Sequence, residues 1–123
     1  MKEDILAIKS KSFAIKIVNL YKKLSNEKRE YVLSKQLLRS GTSIGANIRE
    51  AGFAQSQGDF ISKLSIALKE TNESLYWIEI LHDTEFIDGL TSKELHCEAM
   101  EILRILQASI ITAKSNKDRK ISK

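Results

Sequence analysis

A chain of 123 residues with 20 Lys+Arg against 16 Asp+Glu carries a net charge of +4. Its 42% apolar and 29% charged residues suit one soluble globular domain able to bury about two-thirds of its unfolded surface, and exclude a disordered chain. Zero prolines, five glycines and the lone Cys97 exclude turn-dense sandwiches and barrels, an internal disulfide and a Cys-rich zinc site.

Four segments repeat apolar residues three and four apart, the spacing of one helix face. The first, over 4–25, has a stripe of Leu6, Ser10, Phe13, Ile17, Leu20 and Leu24. A second row, Ala7, Ala14, Val18 and Tyr21, lies beside it. The acids Glu3 and Asp4 and the lack of a long apolar run exclude a signal peptide, so a cytoplasmic location is expected. The polar stretch Ser25 to Glu30 reads as a connection.

The second helix, over 34–54, is expected to start on Ser34 as N-cap and carries Leu37, Gly41, Ile44, Ile48 and Ala51 on one stripe. Gly inside a helix costs roughly 1 kcal/mol relative to Ala, so Gly41 and Gly45 imply close approach of a neighbouring helix. Asn47 and Glu50 flank this small-residue stripe, and if buried they need partners, either Lys63 or Lys69 of the third helix or a neighbouring subunit. The third helix, over 57–83, opens on a Ser56–Asp59 cap and continues through Phe60, Leu64, Ala67, Thr71, Ser74, Ile78 and Leu81, with Ile61, Leu68 and Leu75 alongside. Tyr76 and Trp77 are adjacent, so one faces the bundle and the other faces outward.

The fourth helix, over 91–115, reads as capped by Thr91 with Glu94, and stapled by Leu90 against Leu95. Its stripe runs through Ala99, Ile102, Leu106, Ser109 and Ala113. Cys97 is expected to be buried or half-buried. Residues 116–123 read as a flexible basic tail beyond a single domain of 1–115. Four helices joined by short connections make an all-α, antiparallel up-down-up-down four-helix bundle. No stretch is apolar enough to span a membrane.

Several letter patterns suggest chemistry that their context denies. Gly41 to Gly45 spells G-x-S-x-G around Ser43, but a nucleophile elbow needs a strand before it. Glu79-x-x-His82 has the spacing of a di-iron motif, yet His96 has Lys93 three residues before it, so the second motif is missing. Neither catalytic residues, a cofactor nor a metal is expected.

Charge is segregated along the chain. Net charge is +4 over 1–30, +2 over 31–55, −5 over 56–89, −1 over 90–113 and +4 over 114–123. Basic and acidic faces could pair between helices or between copies. Alternatively the basic surface could meet nucleic-acid phosphates, with Lys35, Arg39, Arg49, Lys117, Arg119 and Lys120 as candidate contacts.

The run Leu38-Arg39-Ser40-Gly41-Thr42-Ser43-Ile44-Gly45-Ala46-Asn47-Ile48-Arg49-Glu50-Ala51 resembles the signature of the bacterial four-helix-bundle proteins, also known as 23S rRNA intervening-sequence proteins. The likeness continues through Ser56, Asp59-Phe60, Ile66 to Glu70, Glu73 to Trp77 and Phe86-Ile87. Gly41, Ser43, Gly45, Asn47, Glu50 and Glu70 are then structural polar and close-packing positions. The resemblance implies a ring-like homopentamer without enzymatic activity. In a branch associated with diversity-generating retroelements it implies a basic pentamer that binds nucleic acid and a reverse transcriptase. Here Ala51 follows Glu50 where a glycine is usual, Gly52 comes one later, and the Arg often seen shortly after is replaced by Phe53-Ala54-Gln55. The alternative to a nucleic-acid role is a protein–protein scaffold whose charge pattern serves assembly alone. The two apolar rows on helices one and three are wider than one bundle needs, which points to an oligomer.

Overall fold

A computed structural model describes residues 2–122, with side chains described for 5–119. Four helices follow in order: α1 Lys2–Lys28, α2 Leu33–Ala51, α3 Gln57–Asp83 and α4 Gly89–Ser122. Each packs on its chain neighbours, α4 returns to α1, and the diagonal pairs do not meet. The bundle is therefore the expected antiparallel square. The α1–α4 seam is the slightest of the four contacts.

The predicted stripes form the core. Leu6, Phe13, Ile17 and Leu24 of α1 meet Leu37, Ile44 and Ile48 of α2. Leu64, Ile78 and Leu81 of α3 and Ala99, Ile102 and Leu106 of α4 complete the interior. Each large side chain removed from water contributes about 1.5–3 kcal/mol. Between α2 and α3, the buried Ser40 and Ser74 hydroxyls share a hydrogen bond of 2.9 Å. The two helical glycines are close-approach positions. A Cβ on Gly41 would stand 3.0 Å from Ile17 Cγ1, and one on Gly45 would stand 3.2 Å from Ser10 Oγ.

Helix ends depart from expectation in instructive ways. Ser56 caps α3 as predicted, its hydroxyl accepting the Asp59 N–H at 3.0 Å. Ser34 does not cap α2. Instead the buried Glu30 carboxylate accepts the backbone N–H groups of Val32, Leu33 and Ser34 at 3.0, 3.1 and 2.7 Å, while Ser34 Oγ donates back to the Glu30 carbonyl. The Thr91 box is displaced in the same way: α4 begins two residues earlier, and Asp88 Oδ1 accepts the Thr91 N–H at 2.7 Å. Leu95 is buried but Leu90 is 78% exposed, so no staple forms.

In both cases an acid before the predicted cap takes the capping role, and Glu30 reaches three of the orphan N–H groups where a short hydroxyl reaches one. The second helix stops at Ala51 rather than 54, because Gly52, Phe53 and Ala54 tighten into turns onto Arg49, Glu50 and Ala51. The first helix runs to Lys28 and closes with Arg29 at φ 53°. Residues after Ala113 continue α4 as far as Ser122.

Candidate nucleic-acid interface

Lys35 and Arg49 are both exposed on α2 but lie at opposite ends of it. Fourteen residues at 1.5 Å each separate them by about 21 Å. Lys117 and Arg119 sit on the far part of α4. Gln57 Nε2 donates to the Ala113 carbonyl at 3.2 Å, so the start of α3 lies level with Ala113. The α4 residues from Lys114 onward therefore run beyond the first turn of α3 as a basic helical extension. Lys117 Nζ lies 3.4 Å from the place a Cβ on Gly58 would take. Lys120's side chain lies outside the described residues.

Arg39 is not a candidate contact. Its guanidinium bonds Glu70 at 3.1 Å and also Glu73, tying α2 to α3. The Glu73 carboxyl is held below its ordinary range, first by the Trp77 indole N–H at 3.0 Å and then by Arg39. Other ion pairs join neighbouring helices. Lys9 meets Glu101 at 2.7 Å, Lys16 meets Glu94 at 2.9 Å and Glu98 at 2.6 Å, and Lys63 meets Glu50 at 3.0 Å. The Lys16 ammonium titrates above its usual value because Glu94 and Glu98 accept from it. Part of the charge segregation is thus consumed inside one chain. These pairs are mostly exposed and contribute about 0–1 kcal/mol each.

Exposed cations remain at both ends, but toward the α1–α2 turn the exposed acids Glu27, Asp83, Glu85 and Asp88 stand among them, so the basic end is the other one. Arg49, Lys114, Lys117 and Arg119 lie at the end formed by the α2–α3 turn, exposed and without an ion pair among the described residues. Lys22, Lys23, Lys28, Arg29 and Lys35 are exposed toward the other end. There Lys23 and Lys28 help hold the Asp88 carboxyl below its usual range, after the Thr91 hydrogen bonds that dominate it. The six predicted contacts do not converge on one surface. Arg49, Lys117 and Arg119 share an end, Lys35 belongs to the opposite one, and Arg39 is spent between helices.

The remaining predicted positions are structural. Asn47 Nδ2 donates to the Ser43 carbonyl at 2.9 Å, and Ser43 Oγ donates to the Arg39 carbonyl at 2.6 Å, within an unbroken helix. Of the two lysines expected near Glu50, Lys63 takes it. Trp77 packs on the core while Tyr76 is exposed. Cys97 is exposed rather than buried, because it sits on the line of α4 opposite Ala99, Ile102 and Leu106. His96 Nε2 lies 4.0 Å from Glu79 across α3 and α4. No group of three or more His, Cys, Asp or Glu is placed to hold a metal ion among the described residues. No described helix is long and apolar enough to cross a membrane.

Comparison with known families matches residues 2–108 to the 23S rRNA-intervening sequence proteins. The chain belongs to that family. It is similar to a crystallised protein of unknown function from the S23 ribosomal protein family of Bacteroides thetaiotaomicron. The two are 55% identical with a TM-score of 0.88, over 89% of this chain and 98% of that one. No curated protein matches.

In this 23S rRNA-intervening sequence protein the run from Arg39 to Glu50 is a packing device. Arg39 grips Glu70 and Glu73, Gly41 and Gly45 admit α1, and Glu50 takes Lys63. Among the exposed apolar residues that escape the stripes read from sequence are Ile8, 71% exposed, Ile15, Val32, 72% exposed, Phe53, 83% exposed, and Ile111, 68% exposed. Ile8 and Ile15 are seven apart and point away from the core line of Phe13 and Ile17, a spacing the sequence does contain. The second row of α1, by contrast, is largely half-buried within the bundle.

Proposed function

We propose that this chain is a non-enzymatic, cytoplasmic homo-oligomer, a ring of five as the family resemblance implies, that grips nucleic-acid backbone through the basic α2–α3 end of each bundle. The observation that carries this reading is the cluster of Arg49, Lys114, Lys117 and Arg119 around one end, exposed and unpaired among the described residues while Lys9, Lys16, Arg39 and Lys63 are neutralised between helices. Repeating that end around a ring multiplies its phosphate contacts. A reverse transcriptase joins as partner only where the gene sits in a retroelement. Exposed Ile8 and Ile15 also suit a protein scaffold with no nucleic acid, so the test must separate the two readings.

The experiment is binding of a structured RNA across a salt series. Log affinity is expected to fall linearly with log salt, and the triple variant Arg49→Gln, Lys117→Gln, Arg119→Gln to weaken binding and flatten that slope by roughly two to three. Binding that ignores salt, or none at low salt, leaves the scaffold reading.

A further inference from the structure

Among the described residues Phe53 is the most exposed large apolar side chain, yet its backbone is firmly tied. Its N–H donates to the Glu50 carbonyl at 3.0 Å, between the bonds of Gly52 to Arg49 and of Ala54 to Ala51, each 3.1 Å. On the far side of the turn the Ser56 hydroxyl caps α3, and the Asp59 carboxylate accepts the Gln55 N–H at 3.3 Å. A fixed turn thus presents the ring to water, and little ordering is left for a partner to impose.

That turn stands among the cations. Arg49, whose carbonyl begins it, is exposed. Gly52 and Ala54, on either side of Phe53, border one open cleft with Ala113 and Asn116 of α4, so the arm of Lys114, Lys117 and Arg119 leaves the bundle beside the turn. Of the acids on these elements, Glu50 is taken by Lys63 and Asp59 holds the turn, while Asp118 shares the arm. The cations next to Ile8 and Ile15 are different, because Lys9 and Lys16 are already held by acids of α4.

Cations by themselves hold a phosphate backbone without regard to its bases. An exposed ring beside them adds a face on which a base can stack. In a duplex those faces are covered by neighbouring bases, so only an unpaired base can use the ring. Gly52, Ala54 and Gln55 beside it are small or polar, which leaves a bilayer little apolar surface to bury.

We infer that Phe53 stacks on an unpaired base of the nucleic acid whose backbone this basic end holds, so that the bound segment is single-stranded. The inference rests on the nucleic-acid reading above and adds to it a preference for free bases.

Three RNA probes of about twelve nucleotides per strand test it on the full chain at low salt: a uridine strand, an abasic strand with the same phosphates, and a duplex. The uridine strand is expected to bind at least about fivefold more tightly than the abasic one. Phe53→Ala should remove that difference and leave the abasic strand and the duplex unchanged. Phe53→Leu should behave as Phe53→Ala does, and Phe53→Trp should keep or enlarge the difference. Equal affinity for uridine and abasic strands, measured on the unaltered chain, overturns the stacking and leaves the phosphate grip standing. A difference that survives Phe53→Ala or Phe53→Leu does the same, as does an equal loss on the duplex. Failure of all three probes to bind overturns the nucleic-acid reading and this inference together. A lower sedimenting mass in Phe53→Ala places the ring between copies, and loss of phosphatidylserine vesicles rather than uridine places it at a bilayer; either result overturns the assignment.

Discussion

Glu30 shows how much one side chain can do at a helix start. Burial of its carboxyl pushes the titration upward, but the N–H groups of Ser34, Leu33 and Val32 outweigh that and leave it below the ordinary 4.5. Its contribution to stability is therefore complete above that range and is lost as pH falls through the depressed value. Glu30→Ala is expected to cost about 1–2 kcal/mol in denaturant unfolding at neutral pH. Glu30→Gln should flatten the acid limb of the stability profile below the ordinary carboxylate range, and an unchanged limb would show that another group governs it. The sequence reading placed the cap on Ser34 because hydroxyls at helix starts are the commoner signal, and nothing in the letters says that an acid four residues earlier folds back. Gly41 was the opposite case, since an internal helical glycine has little reason to exist except close packing. Gly41→Ala would gain roughly 1 kcal/mol of helix propensity but press on Ile17, and overpacking costs about 1–3 kcal/mol. A net loss is expected in the unaltered background and a net gain in Ile17→Ala, measured as a double-mutant cycle; the same sign in both would remove the steric account.

Among the elements, the apolar faces were legible and the ends were not. All four stripes became core because the 3.6-residue period is imposed by burial along the whole helix. An end is decided by a few polar groups, as Glu30 and Asp88 show. The last turns of α4 illustrate a second limit. Periodicity ceases at Ala113 because no helix remains to pack against, yet KSNKDRKISK contains neither Gly nor Pro to stop the winding. A helix can therefore outrun its own apolar stripe, and here the excess is a basic arm. Because residues 114–119 are exposed, ending the chain after Ala113 is expected to change stability by less than about 1 kcal/mol. The same truncation should weaken RNA binding at least tenfold and lower the salt slope. Retained affinity after truncation would move the phosphate contacts to the Lys23, Lys28 and Lys35 end.

At the scale of the molecule, what matters is which apolar surface one copy cannot cover. The sequence pointed to surplus on α1 and α3, and it is on α1 that the surplus is realised, along a different line. Leu75 of the flanking row on α3 is buried and Leu68 packs against the core, whereas Ile8 and Ile15 stand on the outer side of α1 with no helix of their own chain over them. Single exposed apolar residues are ordinary, but Ile8 and Ile15 stand on one helix line about 10.5 Å apart, with the small Ser12 between them. Lys9 and Lys16, the next residues along, are already committed to α4, so docking on this line needs no rearrangement of the seam beneath it. If that line joins copies, Ile8→Lys with Ile15→Lys should leave helicity and the core intact. The sedimenting mass should drop to 13.9 kDa from the multiple formed by the unaltered chain. Salt dependence of RNA binding should fall with it, because a monomer offers one basic end where a ring offers several. An unaltered chain that already sediments as a single copy at micromolar concentration would break this link between greasy line and phosphate grip. The basic end would then have to act one bundle at a time.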